Sequence, residues 1–159
     1  MRAVLLSLAI ALGACHPPAP PVTRVPAGAS LLDASGARFE VLAKYHGQPV
    51  VLDFWASWCK ECKASVPTVV RMADAFKAQG LVVVGVNVGE EPAIASAAAT
   101  ALGIDYPIAL DPEMTFSDRM GASELPLVVV IDRDGGIVHR ARTVDEATLA
   151  AVRAQLATP

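Results

Sequence analysis

The chain has 159 residues, 53% of them hydrophobic and 18% charged, with 11 glycines and 12 prolines. That length suits one compact domain, and the balance excludes a disordered chain, a collagen and a coiled coil. Thirteen basic against sixteen acidic residues leave a formal charge of −3. No basic stretch of the kind that phosphate neutralisation demands is present, so no nucleic-acid partner is expected. Three cysteines are too few for a disulfide scaffold and lack the four-ligand pattern of a zinc finger. Neither a metal nor another cofactor is expected.

The amino end reads as an address. Met1-Arg2 supplies a positive charge, and Val4 to Leu12 is an apolar run broken only by Ser7. As a helix it reaches about 14 Å, against a hydrocarbon core of about 30 Å, so it fits an export signal and not a span. Leu12-Gly13-Ala14-Cys15 resembles the lipobox of bacterial lipoproteins, which implies cleavage before Cys15 and acylation of that residue. A plain secretory signal with an incidental cysteine is the simpler alternative. The lipobox also accounts for the odd cysteine, because it leaves Cys59 and Cys62 as a pair. The expected organisation is a signal peptide over 1–14, a lipidated Cys15 with a Pro-rich tether over 15–29, and a domain over 30–159. The tether's prolines favour an extended spacer. The expected product is an exported monomer, lipid-anchored to a bacterial membrane. Its domain would lie in the periplasm or otherwise outside the cytoplasmic membrane.

Beyond the tether the pattern alternates β and α. Asp33-Ala34-Ser35-Gly36 is a turn signal between Leu31-Leu32 and Phe39–Val41, a small leading hairpin. Val50 to Trp55, apolar except for Asp53, reads as a buried central strand. From Lys60 to Gln79, apolar residues at Cys62, Val66, Val69, Val70, Ala73 and Phe76 form a helical stripe that Gly80 ends. Pro67 inside it predicts a kink. Leu81 to Val88 is a second buried strand, and Pro92 to Leu102 an Ala-rich helix closed by Gly103. Asp111-Pro112-Glu113 opens a short helix that Gly121 closes. Leu127–Ile131 and Ile137–Arg140 flank a turn at Arg133-Asp134-Gly135-Gly136. Thr143-Val144-Asp145-Glu146 is a capping box for a last helix to about Leu156. The expected fold is α/β, a sheet with helices on both faces.

The chemistry concentrates where a buried strand gives way to a helix, at Trp58-Cys59-Lys60-Glu61-Cys62. A thiol at a helix amino end meets unpaired N–H groups and the positive end of the dipole, which stabilise its thiolate. Cys62 lies one turn on, within disulfide reach. Cys59 is therefore the expected exposed nucleophile and Cys62 the buried resolving thiol. As a purely structural link, so short a loop would add only about 2 kcal/mol. Half a zinc site needs two more ligands, and neither His46 nor His139 falls at a ligand spacing. Trp55 reads as core, and Trp58 as a partly exposed wall beside Cys59.

The stretch Asp53-Phe54-Trp55-Ala56-Ser57-Trp58-Cys59 through Cys62-Lys63, with Pro67 beyond, resembles the active-site segment of thioredoxins. Val86-Asn87-Val88-Gly89-Glu90 and Glu124-Leu125-Pro126 with the strand after it resemble the TlpA/ResA-like branch. The resemblance runs from about residue 30 to 157. It implies a thioredoxin-like fold and a membrane-anchored thiol-disulfide oxidoreductase, often a reductant in cytochrome c maturation. Its partners would be protein dithiols or disulfides and an upstream membrane electron donor. It further implies a cis Pro126 packed beside the cysteines, with the Leu125 backbone pairing with an extended substrate strand. Read without the family, Pro126 is simply a proline at a strand start.

Two acids compete to handle the proton. Asp53 sits in an apolar strand, where ionisation is costly and its pKa should rise; it matches the buried aspartate of thioredoxins. Glu90 lies in the ResA-like VNVGE stretch. ResA-like proteins tend to carry a glutamate just after the second cysteine, where this chain has Ser65, a departure that favours Asp53. Two other functions fit a thioredoxin fold. One is Cu(I) delivery, which would pair the thiolates with a placed histidine. The other is thiol peroxidation, which would form a sulfenate at Cys59.

Overall fold

The computed structural model describes residues 23–157. The signal peptide over 1–14, Cys15 and residues 16–22 of the tether lie outside the described residues. From the amino end come β1 (Ser30–Leu32), β2 (Arg38–Glu40), α1 (Val41–Lys44), β3 (Val50–Trp55), α2 (Lys60–Lys77) and β4 (Val82–Val88). They are followed by α3 (Pro92–Leu102), β5 (Ile108–Asp111), α4 (Thr115–Arg119), β6 (Leu127–Ile131), β7 (Ile137–Ala141) and α5 (Glu146–Ala157). Among the described residues no helix is long and apolar enough to cross a membrane.

Apolar runs with almost no charge bury both faces of a strand, and here they occupy the middle of the sheet. Every residue of β3 is buried, as are all but the first of β4. The order across the sheet is β2-β1-β5-β4-β3-β6-β7. β3, β4 and β5 run parallel, whereas β6, β7, β1 and β2 join antiparallel, so the sheet is mixed as expected. Alternation along β3 divides the core. Val50, Leu52 and Phe54 pack with Val41 of α1 and with Phe116 of α4, whose ring stacks on Phe54 at 6.1 Å. Val51 faces Val69, Met72 and Phe76 of α2 and Val152 of α5. Trp55, on the same face, joins Cys59, Cys62 and Ala99 of α3. Helices therefore cover both faces, and α2 is pinned with its amino end against the carboxyl end of β3.

Four local expectations need correction. The spacer expected up to residue 29 gives way at residue 23 to chain packed on the domain. Val25 N–H donates to Gly135 O at 2.9 Å, Ile137 N–H donates to Thr23 O at 2.8 Å, and Val25 and Ala29 are buried. The hairpin's second arm ends one residue early, because Val41 opens α1 and buries its side chain. Asp111 does not open a helix but closes β5, paired in parallel with Val88. The following helix begins only at Thr115, behind Met114 at φ 57°. Asp111 still caps it from outside, accepting from Phe116 N–H (3.2 Å), Ser117 N–H (2.7 Å) and the Ser117 hydroxyl (2.6 Å). The last helix is capped by Asp145, not Thr143. Asp145 Oδ1 accepts from Thr148 N–H and Thr148 Oγ1, each at 2.8 Å, and Glu146 turns to Arg153 at the surface. Pro67 sits exposed inside a helix that continues through it.

The Asp111 cap joins β5 to α4 through a buried carboxylate with three donors, and truncation would leave those donors orphaned. Asp111→Ala is expected to lower stability by about 2 kcal/mol. Urea unfolding of the oxidised protein checks this: the midpoint should fall with an unchanged slope.

Candidate active site

Between the end of β3 and the start of α2 the chain turns through Ala56–Trp58, with Cys59 N–H donating to Ala56 O at 3.2 Å. Cys59 is the N-cap of α2 with extended backbone (φ −76°, ψ 106°), and its Sγ accepts from Cys62 N–H at 3.1 Å. A sulfur thus takes the place that a Ser or Asp oxygen fills at most helix starts. Cys59 and Cys62 form a disulfide with a Cα–Cα separation of 5.3 Å. The expected exposure of Cys59 is corrected in degree: it is 4% exposed and Cys62 0%, because Trp55, Ala56 and Leu125 close around the pair. Trp58 instead projects outward, 66% exposed. Ser65 is buried, and its hydroxyl donates to Cys62 O at 3.1 Å.

The two acids occupy opposite environments. Glu90 accepts from Ser57 N–H at 2.8 Å, from the Ser57 hydroxyl, and from Asn87 Nδ2 at 2.7 Å. Burial pushes its pKa up, but the bonds from Ser57 and Asn87 outweigh that and hold it below the ordinary carboxylate value. Glu90 is therefore a fixed anion that anchors the turn leading into Cys59, and its lone pairs are already engaged.

Asp53 lies fully buried in mid-β3, opposite Gly85 on one side and Val128 on the other. Its Oδ2 accepts from the Tyr106 hydroxyl at 2.7 Å, and its Oδ1 has no partner. Desolvation pushes its pKa up to about 6, against the lowering effect of the Tyr106 bond. Burial, followed by the Asp53 charge, raises the Tyr106 hydroxyl above its ordinary value, so it remains a donor. Of the two acids, only Asp53 has both a free oxygen and a pKa suited to taking a proton near neutrality.

The Leu125–Pro126 peptide is cis. Pro126 is buried, and Leu125 packs against the cluster that holds both cysteines. Leu125 O already accepts from Arg142 Nη2 at 2.8 Å, and Arg142 Nη1 reaches Glu124 at 3.0 Å. A substrate strand pairing at Leu125 would meet that guanidinium. A 240 Å³ groove lined by Glu61, Ala64, Ser65, Pro126, Arg142 and Thr143 runs along the first turns of α2.

Elsewhere, His139 Nε2 lies 3.1 Å from Thr148 Oγ1, tying β7 to α5, and His46 is exposed. Among the described residues no group of three His, Cys, Asp or Glu side chains could hold a metal ion. Ser57, Asn87, Tyr106 and Arg142 are the neighbours that sequence reasoning missed. Only Asn87, a polar side chain in a valine run, carried a visible signal.

The redoxin family model matches residues 18–156. The thiol-disulfide oxidoreductase ResA of Bacillus subtilis is 34% identical over 108 residues, 68% of this chain and 60% of that protein. The ResA of Geobacillus kaustophilus is 31% identical over 60% of this chain and 55% of that protein. The matches thus span less than two thirds of these relatives' own length. Among solved structures, a chain from Chlorobium tepidum classed as a DsbE-type thiol:disulfide interchange protein superposes with a TM-score of 0.74 at 27% identity. That superposition covers 86% of this chain and 98% of the other. A thiol-disulfide oxidoreductase from Bacteroides fragilis, 17% identical, shares the fold with a TM-score of 0.73 over 82% and 98% of the two chains.

The Asp53 environment has a consequence for stability with a definite sign. Its folded pKa of about 6 exceeds the ordinary 3.8, so the folded state binds this proton more tightly than the unfolded chain. That contribution is fully present below pH 3.8 and is lost as pH rises through about 6. At 1.36 kcal/mol per pH unit, the ionised form costs about 3 kcal/mol. Relative to the parent, Asp53→Asn should gain about 3 kcal/mol of stability between pH 3 and pH 8. Urea unfolding at both pH values checks it; a flat difference would refute it.

Proposed function

The chain belongs to the redoxin family, and on that footing we propose that it is a thiol-disulfide oxidoreductase that reduces disulfides in other proteins. The observation that carries this reading is the Cys59 sulfur at the N-cap of α2, accepting the Cys62 N–H at 3.1 Å. The same N–H and the helix dipole favour a thiolate at that sulfur after reduction.

The cycle follows from this placement. In the dithiol form the Cys59 thiolate attacks a substrate disulfide, forming a mixed disulfide and expelling one substrate thiolate. The Cys62 thiol loses its proton to Asp53 and attacks Cys59 Sγ. The Cys59–substrate bond breaks, the second substrate thiol leaves reduced, and the Cys59–Cys62 disulfide forms. An upstream membrane dithiol donor then reduces that disulfide. The substrate is an extended segment laid across Trp58, Leu125 and Pro126.

The finer reading is a lipoprotein anchored through Cys15, exported to the periplasm or another extracytoplasmic face of a bacterial membrane, and acting in cytochrome c maturation. Leu12–Cys15 and the ResA relatives support it. Ser65 in place of the glutamate separates this chain from the fuller ResA pattern.

Insulin reduction with dithiothreitol as donor tests the activity. The parent is expected to reduce insulin and Cys59→Ser to be inert above the dithiothreitol background, as follows from removing the covalent nucleophile; equal rates would reject the reading. Cys62→Ala should trap mixed disulfides on Cys59. An apocytochrome among the trapped partners would support the maturation role, whereas an indiscriminate set would replace it with general reduction. Cys15→Ser should release the protein from the membrane fraction.

A further inference from the structure

We propose that Tyr106 is the positioning residue of Asp53: by donating to Oδ2 it fixes the carboxyl plane and leaves Oδ1 as the face that receives the Cys62 proton. This rests on the reading of Asp53 as the base for the resolving cysteine. Tyr106 lies 53 residues away in sequence, yet its hydroxyl sits 2.7 Å from Oδ2.

The approach is built into the sheet. Asp53 faces Gly85 in the parallel register. A Cβ at residue 85 would lie 3.0 Å from Tyr106 Cε2 and 3.0 Å from Trp55 Nε1. A bare backbone there lets the tyrosine ring pass over β4 to the carboxylate on β3. With Oδ2 engaged, the unpartnered Oδ1 is the remaining acceptor. It belongs to the same strand face as Trp55, and Trp55 packs with Cys62.

The charged surroundings are few. β4 and β6 set Gly85 and Val128 opposite Asp53. From the first turn of α2 the buried ionisable group is Cys62, with Lys60, Glu61 and Lys63 exposed, while Asp74 and Lys77 of α2 line a 220 Å³ cavity bounded by Tyr106 and Asp105. Asp105 acts on Tyr106 and further discourages its ionisation. Glu90 is held by Ser57 and Asn87. Tyr106 is thus the polar side chain that fixes the geometry of Asp53 and lowers a proton affinity that burial raises.

In the step concerned, Cys62 Sγ–H gives its proton to Asp53 Oδ1, Cys62 Sγ bonds to Cys59 Sγ, and the departing thiolate takes the electron pair of the broken S–S bond. Reaction of the reduced protein with an aromatic disulfide that releases a coloured thiol resolves two phases. Attack by Cys59 gives the first, and attack by Cys62 on the mixed disulfide gives the second. The second-phase rate should rise through a midpoint near 6, set by Asp53. In Tyr106→Phe that midpoint should move up by about one pH unit, as expected for losing a hydrogen bond to an anion, with the first phase unchanged. Gly85→Ala, which crowds the same ring, should move it the same way by less and serves if Tyr106→Phe does not fold.

Asp53→Asn separates the two ideas. If it abolishes the midpoint while Tyr106→Phe and Gly85→Ala leave it in place, Asp53 is the base and Tyr106 does not position it. If Asp53→Asn keeps the midpoint, the base reading fails and the inference falls with it. Equal slowing of both phases at every pH in Tyr106→Phe would reduce the tyrosine to a packing role and overturn the proposal.

Discussion

The junction where β3 ends and α2 begins is the constraint on which the rest depends. β3 is buried along its whole length, and the chain leaving its carboxyl end turns back along one face of the sheet as α2. That return brings the amino end of α2 onto Trp55, where a single sulfur satisfies a helix N–H that would otherwise be orphaned. Structure and reactivity share this contact. The dipole and N–H groups that a helix needs to have capped are the same features that favour a negatively charged sulfur.

Such a junction has to be rigid on its other side as well, and the two acids divide that work. Glu90 is spent entirely on hydrogen bonds, two of them to Ser57 in the turn before Cys59. It remains ionised, and its carboxylate holds the turn in place. Asp53 keeps one oxygen unpartnered and its proton more tightly bound. Burial raises Asp53, whereas the donors to Glu90 outweigh its burial, so the two carboxylates are pushed apart in proton affinity. Rich donor supply keeps Glu90 an anion, and burial with a single donor lets Asp53 hold its proton more tightly. The cost of Asp53 is bearable because its strand neighbours are apolar and buried. At roughly 1.5–3 kcal/mol per side chain, the other five residues of β3 outweigh the about 3 kcal/mol of one ionised carboxylate.

Much of this was legible in the sequence because it is local. Alternation and valine runs located β3, β4 and β6, the apolar stripe located α2, and the Cys59-x-x-Cys62 spacing located the reactive turn. What escaped is what depends on distant chain. β5 is four residues long and borrows its order from β4, so Asp111 looked like a helix opener when it is a strand end that caps the helix after it. Residues 23–29 looked like spacer because they have no periodicity, yet two backbone bonds to the β6–β7 turn region suffice to dock them. Asp145 displaced Thr143 as the cap, since an Asx side chain one residue before the helix needs no reciprocal glutamate. Tyr106 gave no local sign of its role. Its meaning lies in a hydroxyl reaching a strand half the domain away, made possible by a missing Cβ at Gly85.

The same non-local logic shapes the rim around Leu125. Leu125 packs on the disulfide cluster through its side chain, while its carbonyl is taken by Arg142 from beyond β7. Arg142 also leans on Glu124, but that pair is exposed, and exposed pairs contribute at most about 1 kcal/mol. The guanidinium is therefore held chiefly by the carbonyl, at the mouth of a groove that runs along the first turns of the helix bearing both cysteines. The bond from Arg142 to that carbonyl is exposed, so breaking it disturbs no buried bond. Asp53, Tyr106 and Glu90 are buried and Ser57 half-buried, whereas Arg142 and Glu124 are exposed. Water can replace the hydrogen bonds of the rim and not those beneath it.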